Sequence, residues 1–165
     1  MDKIIDIHLR DEAATEQAGR ILCAFLHRGD FVGLEGELGA GKTSLTRGIM
    51  DEINPKAIRV TSPTYTLMNH YQGNSIFRHI VHADLYRLHD EDDLESTGYW
   101  DAVIDADLVV VEWIDHLPSA RFEQGWTVRM FHAPNGRRLQ ISCFGPNQDL
   151  SRMDSLAKAL ADALA

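Results

Sequence analysis

Gly36-Glu37-Leu38-Gly39-Ala40-Gly41-Lys42-Thr43 fits the spacing GxxxxGK[ST] at every fixed position. The residues around it fit as well. Phe31-Val32-Gly33-Leu34 reads as a buried strand ahead of the loop, and Ser44 to Glu52 reads as a helix behind it. Glycines let such a loop curl until successive backbone N–H groups point inward at phosphate oxygens, and the helix that follows adds the positive end of its dipole. The candidate phosphate contacts are therefore Glu37, Leu38, Gly39, Ala40, Gly41, Lys42 and Thr43, with Ser44 opening the helix. Lys42 is expected to reach the β and γ phosphates, and the Thr43 hydroxyl to serve the Mg²⁺ that bridges them. A glycine-rich turn that cradles nothing is the plainer reading, and the strand and helix on either side argue against it.

Length and charge limit what can surround this loop. The 165 residues are enough for one domain, 1–165, and too few for a second catalytic one. With 44% hydrophobic and 25% charged residues the chain has an ordinary globular composition. It carries no apolar run of membrane-span length and no signal-peptide core at its start, so a cytoplasmic protein with no membrane partner is expected. Cys23 and Cys143 each sit among apolar residues and read as buried thiols. The net charge is −9, and the densest charge run, His89 to Glu95, is acidic. Direct binding of nucleic acid needs a basic patch, and none is visible. Service to an RNA would have to pass through another protein.

Taken in order, the chain alternates strands and helices. Lys3 to Leu9 alternates as a half-buried strand, and Asp11 can cap a helix with an apolar stripe from Ala14 to Leu26. The helix after the phosphate loop must stop before Asn54-Pro55. Ala57 to Val60 reads as a short strand. Tyr65 to Tyr71 and Ser75 to Ala83 read as a hairpin turning at Gln72-Gly73-Asn74. Short helices are expected at 90–96 and from Tyr99. Ala106 to Val111 is a continuous apolar run, the mark of a strand buried on both faces of a parallel sheet. Trp126 to Phe131 and Leu139 to Phe144 form a second hairpin, and Leu150 to Leu164 an amphipathic helix. The fold class expected is α/β: a three-layer, P-loop NTPase-like fold with a mostly parallel central sheet and added antiparallel hairpins.

A phosphate loop needs an acid at a neighbouring strand end, because Mg²⁺ is held through one or two carboxylates and keeps most of its waters. Glu112 follows the buried run and Asp84 follows a mixed strand, so one is expected to serve the metal and the other to orient or deprotonate the attacking water. Which does which is open at this stage. His82 reads as a packed or solvated histidine, since no Cys/His cluster completes a transition-metal shell. Trp113, beside Glu112, is as well suited to a site wall as to the core. Thr61-Ser62-Pro63-Thr64-Tyr65-Thr66 is rich in hydroxyls and stands where many phosphate-loop proteins place a segment that closes over the γ-phosphate. The chain lacks the Asn-Lys-x-Asp segment of guanine specificity, so ATP is the expected nucleotide.

The phosphate loop, Ser62-Pro63-Thr64-Tyr65-Thr66-Leu67, His82-Ala83-Asp84-Leu85-Tyr86-Arg87-Leu88 and Glu112-Trp113 together resemble the TsaE (YjeE) family of small bacterial ATPases. The resemblance also takes in Asp11, Thr15, Gly19, Leu94, Glu95 and Gly98, so it covers most of the chain up to residue 115. It implies a P-loop fold and a role in making N6-threonylcarbamoyladenosine at position 37 of tRNAs reading codons that begin with A. It further implies two partners, TsaD and TsaB, tRNA contact through those partners, and weak turnover alone. By motif it gives Thr43 and Glu112 to Mg²⁺, Asp84 and Glu112 with Lys42 to hydrolysis, His8 and Asp11 to the neighbourhood of the adenine, and Arg137 to the nucleotide. Glu37 stands where the family more often has Asp, and Ile114 where Pro or Ala commonly follows Glu-Trp. A small-molecule kinase would use the same loop but needs an acceptor pocket and an arginine-bearing lid, which is not evident. A nucleotide-gated subunit that barely hydrolyses ATP is the third reading. No arginine finger is evident either, so slow turnover until a partner docks is expected.

Overall fold

The computed structural model describes residues 3–55, 58–64, 66–146 and 148–164. Among these residues seven strands share one sheet: β1 (Ile5–Leu9), β2 (Asp30–Gly36), β3 (Met68–Gln72), β4 (His79–Asp84), β5 (Leu108–Glu112), β6 (Gly125–Ala133) and β7 (Gly136–Phe144). Five helices accompany them: α1 (Glu12–Cys23), α2 (Lys42–Ile53), α3 (Glu91–Ser96), α4 (Tyr99–Val103) and α5 (Leu150–Leu164). The strand order is β1-β7-β6-β2-β5-β4-β3. β2 pairs in parallel with both β5 and β6, and β4 pairs in parallel with β5. β7 and then β1 extend one edge antiparallel, and β3 closes the other edge antiparallel to β4. Every residue of β5 is buried, as its unbroken apolar run requires of a strand covered on both faces.

Alternation along the strands divides the core in two. Val32, Leu34, Ile80, Leu108 and Val110 pack with α1, α2 and α5 on one face. Phe31, Val81, Ala83, Val109 and Val111 pack on the other with α3, α4 and the short 3-10 turns at Ile114–His116 and Pro118–Ala120. The same parity decides the site. Asp84 and His82 follow Ile80 at steps of two, and Glu112 follows Val110, so all three side chains are directed to the α2 face. Asp84 and Glu112 are register partners at the ends of adjacent parallel strands.

α2 is held against α1 by backbone contact. A methyl group placed on Gly48 would stand 2.0 Å from the Glu16 carbonyl oxygen, and one placed on Gly19 would stand 2.3 Å from that of Leu45. Asp11 caps α1, its carboxylate accepting from the Ala14 N–H at 2.8 Å, as expected of an Asp before an apolar stripe.

Two expectations are corrected. The strand expected from Ala57 to Val60 does not form over 58–60, and Ala57 and Lys56 lie outside the described residues. Ile58 and Val60 instead pack into the α1/α2 core without joining the sheet. The hairpin turn placed at Gln72-Gly73-Asn74 is a longer loop, so its second strand begins at His79 and not at Ser75. The Asn74 side-chain oxygen accepts from the N–H groups of Ile76 and Phe77, and Asp107 accepts from those of Arg78 and His79. Phe77 is thereby tucked into the core. The expected Tyr65 start of the first strand lies outside the described residues, and the strand begins at Met68. Both cysteines are free thiols, and burial pushes Cys23 up to about 12 and Cys143 up to about 11. Among the described residues no helix is long and apolar enough to cross a membrane.

Gly48→Ala would force α1 and α2 apart, and overpacking of that kind costs about 1–3 kcal/mol. Urea unfolding is expected to show the loss. Equal stability of the two proteins would show that the helices are not held this closely.

Candidate functional site

The phosphate loop leaves β2 at Gly36 and enters α2 at Lys42, between two parallel neighbours that fix its origin. Gly36 passes so close to β6 that a side chain there would meet the Met130 carbonyl oxygen at 2.6 Å. Gly41 precedes α2 with φ of +110°, a backbone setting that a side chain disfavours. Space is also lacking there, since a methyl group on Gly41 would lie 2.5 Å from Nη1 of Arg137.

Lys42 is 95% removed from solvent, with 5% of its surface exposed. Its ammonium donates to the carbonyl oxygens of Gly36 at 2.5 Å and Glu37 at 2.9 Å, and stands 3.8 Å from the centre of the Trp113 ring. Burial lowers its pKa from the ordinary lysine value, while Glu112, Asp115 and Asp84 oppose that shift. Trp113 is therefore a wall of the site, and it takes a positive φ of 60° to be one.

Next along α2, the Thr43 hydroxyl donates to Oε1 of Glu112 at 2.9 Å. Ser44 donates to Glu12 at 3.2 Å. Asp84, also buried, accepts from the Thr64 hydroxyl at 2.8 Å through Oδ2 and from the Tyr86 N–H at 2.8 Å through Oδ1. Ser62 and Thr64 share a hydrogen bond of 2.8 Å. The hydroxyl-rich segment thus reaches an acid of the site, as its position in the sequence suggested.

These groups enclose a cleft of about 200 Å³, lined by Leu38, Gly39 and Gly41 to Ser44 on one side, and by Ser62, Thr64, Asp84, Glu112, Trp113 and Arg137 around them. That volume suits a polyphosphate with its base and sugar projecting outside, being smaller than pockets that swallow a whole ligand. Across Trp113 lies a larger groove of about 390 Å³, lined by Glu35, Glu37 and Asp115 together with Arg129 and His132, and neither Lys42 nor Thr43 lines it.

The remaining expected residues divide. Arg137, beside the β6–β7 turn, reaches over Gly41 and donates to Thr15 at 3.4 Å. This places a guanidinium at the cleft within the same chain, where the sequence showed no arginine finger. Asp11 is tied to the same corner only through its backbone oxygen, which accepts from the Thr15 hydroxyl at 3.2 Å. His8 is on β1 opposite Arg138, and neither His8 nor Asp11 lines the cleft. Glu37 faces the larger groove, and Ala40 is buried beneath the loop.

His82 has a partner that the sequence did not announce. It is a packed residue, as expected, but its Nε2 lies 2.5 Å from Oε2 of Glu112. Among the described residues there is no group of three or more His, Cys, Asp or Glu side chains arranged to hold a metal ion. Thr43 and Glu112 offer hard oxygen donors at the loop mouth, which fits a magnesium ion completed by phosphate oxygens and water.

A glycine loop between a central parallel strand and a helix, with buried acids ending the adjacent strand and the one beyond it, defines a P-loop NTPase-like protein. The crystal structure of Bacillus subtilis YdiB has this fold, with a TM-score of 0.70 over 99% of this chain and 97% of that one, at 21% identity. The chain belongs to the TsaE family: the family model described as "Threonylcarbamoyl adenosine biosynthesis protein TsaE" matches residues 9–139. It is 35% identical to the tRNA threonylcarbamoyladenosine biosynthesis protein TsaE of Nostoc sp. over 72% of this chain and 73% of that one. It is 45% identical to the Haemophilus influenzae protein of the same name, over 66% of each. Proteins of this family are involved in tRNA threonylcarbamoyladenosine biosynthesis.

If Arg137 meets phosphate, Arg137→Ala should weaken binding of pyrophosphate by about 10- to 100-fold, the worth of one charge-assisted contact. Calorimetric titration measures it, and equal affinities would remove Arg137 from the site.

Proposed function

We propose that this chain binds ATP with Mg²⁺ in the cleft and hydrolyses it slowly, in the cytoplasm, in support of threonylcarbamoyl transfer to N6 of adenosine 37 in tRNAs reading codons that begin with A. TsaD and TsaB are its partners in this reading. The observation that carries it is the hydrogen bond from Thr43 to Glu112, which sets a loop hydroxyl and a buried carboxylate side by side at the mouth of the phosphate loop.

Each residue has a separable part. The loop N–H groups cradle phosphate oxygens, and Lys42 exchanges its carbonyl partners for the β and γ phosphates. Thr43 and Glu112 would hold Mg²⁺, which when bound neutralises charge building on the phosphate oxygens. Asp84 is placed for water: its carboxylate already accepts from a hydroxyl at the cleft, the same bond by which it would orient an attacking water. Arg137 adds positive charge over the loop. Ser62 and Thr64 close the opposite side, on the segment best placed to respond to a γ-phosphate.

The net charge of −9 supports contact with tRNA through the partners. A partner docking over the nucleotide would then couple ATP state to assembly by its differential affinity for two settings of the 61–66 segment.

Lys42→Ala is expected to weaken ATP binding by about 10- to 100-fold, the range for a charge-assisted contact. Glu112→Ala should weaken it chiefly when Mg²⁺ is present, whereas Asp84→Ala should retain binding and lose turnover. Calorimetry with and without Mg²⁺, beside phosphate release, reads all three, and the opposite pattern for the two acids would exchange their roles. Phosphate release is also expected to rise when TsaD and TsaB are added. Stimulation by bare tRNA, with none from the proteins, would move the regulatory contact from the partners to the tRNA.

A further inference from the structure

His82 is wholly buried at the centre of β4 and has no part in the roles above, yet it spends one ring nitrogen on the carboxylate of Glu112. That bond takes Oε2 and leaves Oε1 for Thr43. The other ring nitrogen, Nδ1, lies 3.3 Å from the Tyr71 hydroxyl. The Tyr71 oxygen accepts from the Asn69 side-chain amide at 3.4 Å, and the same amide donates to the Thr61 carbonyl oxygen at 3.1 Å. With the His82 ring proton on Nε2 the donors run in one direction: Asn69 donates to Tyr71, the Tyr71 O–H donates to Nδ1, and Nε2–H donates to Glu112. Burial raises the Tyr71 pKa, so its hydroxyl keeps the proton this sequence of bonds needs.

Thr61 begins the hydroxyl-rich segment. One residue on, Ser62 bonds Thr64, and Thr64 donates to Asp84. The segment is therefore fastened at one end to Asp84 by a single hydroxyl, and at the other to Glu112 through three side chains of β3 and β4.

We propose that His82 is a positioning residue, fixing the Glu112 carboxylate with one oxygen turned to Thr43, and that Tyr71 and Asn69 keep this setting in step with residues 61–64. The inference rests on the Mg-ATP reading of the cleft. A carboxylate without such a partner rotates among orientations, and partners of this kind are worth about 10- to 100-fold in metal affinity.

The test uses the full chain with Mn²⁺ as the spectroscopic probe for Mg²⁺. Mn²⁺ affinity at saturating ATP is measured by electron paramagnetic resonance, and ATP affinity is measured separately in EDTA. His82→Leu fills the space and removes both bonds, and is expected to weaken Mn²⁺ by about 10- to 100-fold while leaving ATP affinity in EDTA unchanged. Tyr71→Phe removes one hydroxyl from a half-buried ring and should weaken Mn²⁺ by about 2- to 10-fold, the span of one hydrogen bond. In the metal-free protein, ¹⁵N spectra of His82 should show the proton on Nε2.

Wild-type Mn²⁺ affinity in Tyr71→Phe overturns the proposal even if His82→Leu does not fold. So does an equal loss of ATP affinity with and without metal, which is what mere structural damage would give, and so does a proton found on Nδ1. The parent reading fails separately: wild-type protein would then bind ATP no better with Mn²⁺ than with EDTA. Metal dependence that Glu112→Gln abolishes but both His82→Leu and Tyr71→Phe preserve removes this inference alone.

Discussion

The hydrogen bond between Thr43 and Glu112 joins the two halves of the molecule's logic. Thr43 is carried by the first turn of α2, whose start is set by the glycine loop. Glu112 is carried by the last residue of β5, whose position is set by pairing with β2 and β4. The bond forms because β2 delivers the loop and β5 delivers the acid at the same sheet edge, with the acid on the α2 face by strand parity. A one-residue slip of β5 would turn Glu112 toward α3 and α4 and leave the loop without its carboxylate. The parallel centre of the sheet is in this sense a device for register, and the hairpins on either side complete and cover it.

Much of this could be read from the chain because the informative residues are local. A loop that needs glycines, a strand buried on both faces and an acid at its end each leave a mark within a few residues. What escaped were the interactions that cross the sheet. Nothing in His82 and its neighbours announces that β4 and β5 pair in a register placing its ring against Glu112, and its isolation from other metal-ligand residues argued for a bland role. Arg137 was assigned to the nucleotide only by resemblance, since it lies about a hundred residues from the loop in sequence and arrives there because the tight β6–β7 turn brings it back. The strand expected at 57–60 shows the reverse error: Ile58 and Val60 are apolar because they fill core beside α2, which periodicity alone does not distinguish from a strand. The loop at 73–78 escaped for a related reason, since Asn74 and Asp107 organise it by side-chain bonds to backbone N–H groups.

Charge is distributed to suit the proposed reading. The acids that face the cleft are buried and satisfied, Glu112 by Thr43 and His82, Asp84 by Thr64 and Tyr86. Unsatisfied, each would carry a desolvation cost of several kcal/mol. The basic groups at the cleft, Lys42 and Arg137, are likewise held before any ligand arrives, by carbonyl oxygens and an indole in one case and by Thr15 in the other. An incoming phosphate therefore exchanges one set of hydrogen bonds for another, and the net gain per contact is a difference between two satisfied states.

The glycine contacts between α1 and α2 give the cleft one tightly held wall. With Gly19 and Gly48 bringing backbone against backbone, α1 and α2 stand too close for a side chain between them, and the phosphate loop is carried on a closely packed support. The facing wall, residues 61–64, has fewer ties: one backbone bond, from the Leu67 N–H to the Pro63 carbonyl oxygen, and the side-chain bonds to Asp84 and Asn69. In the proposed reading, adjustment to the length or charge of a bound phosphate chain would fall to that second wall, the two walls acting as the fixed and travelling jaws of a caliper.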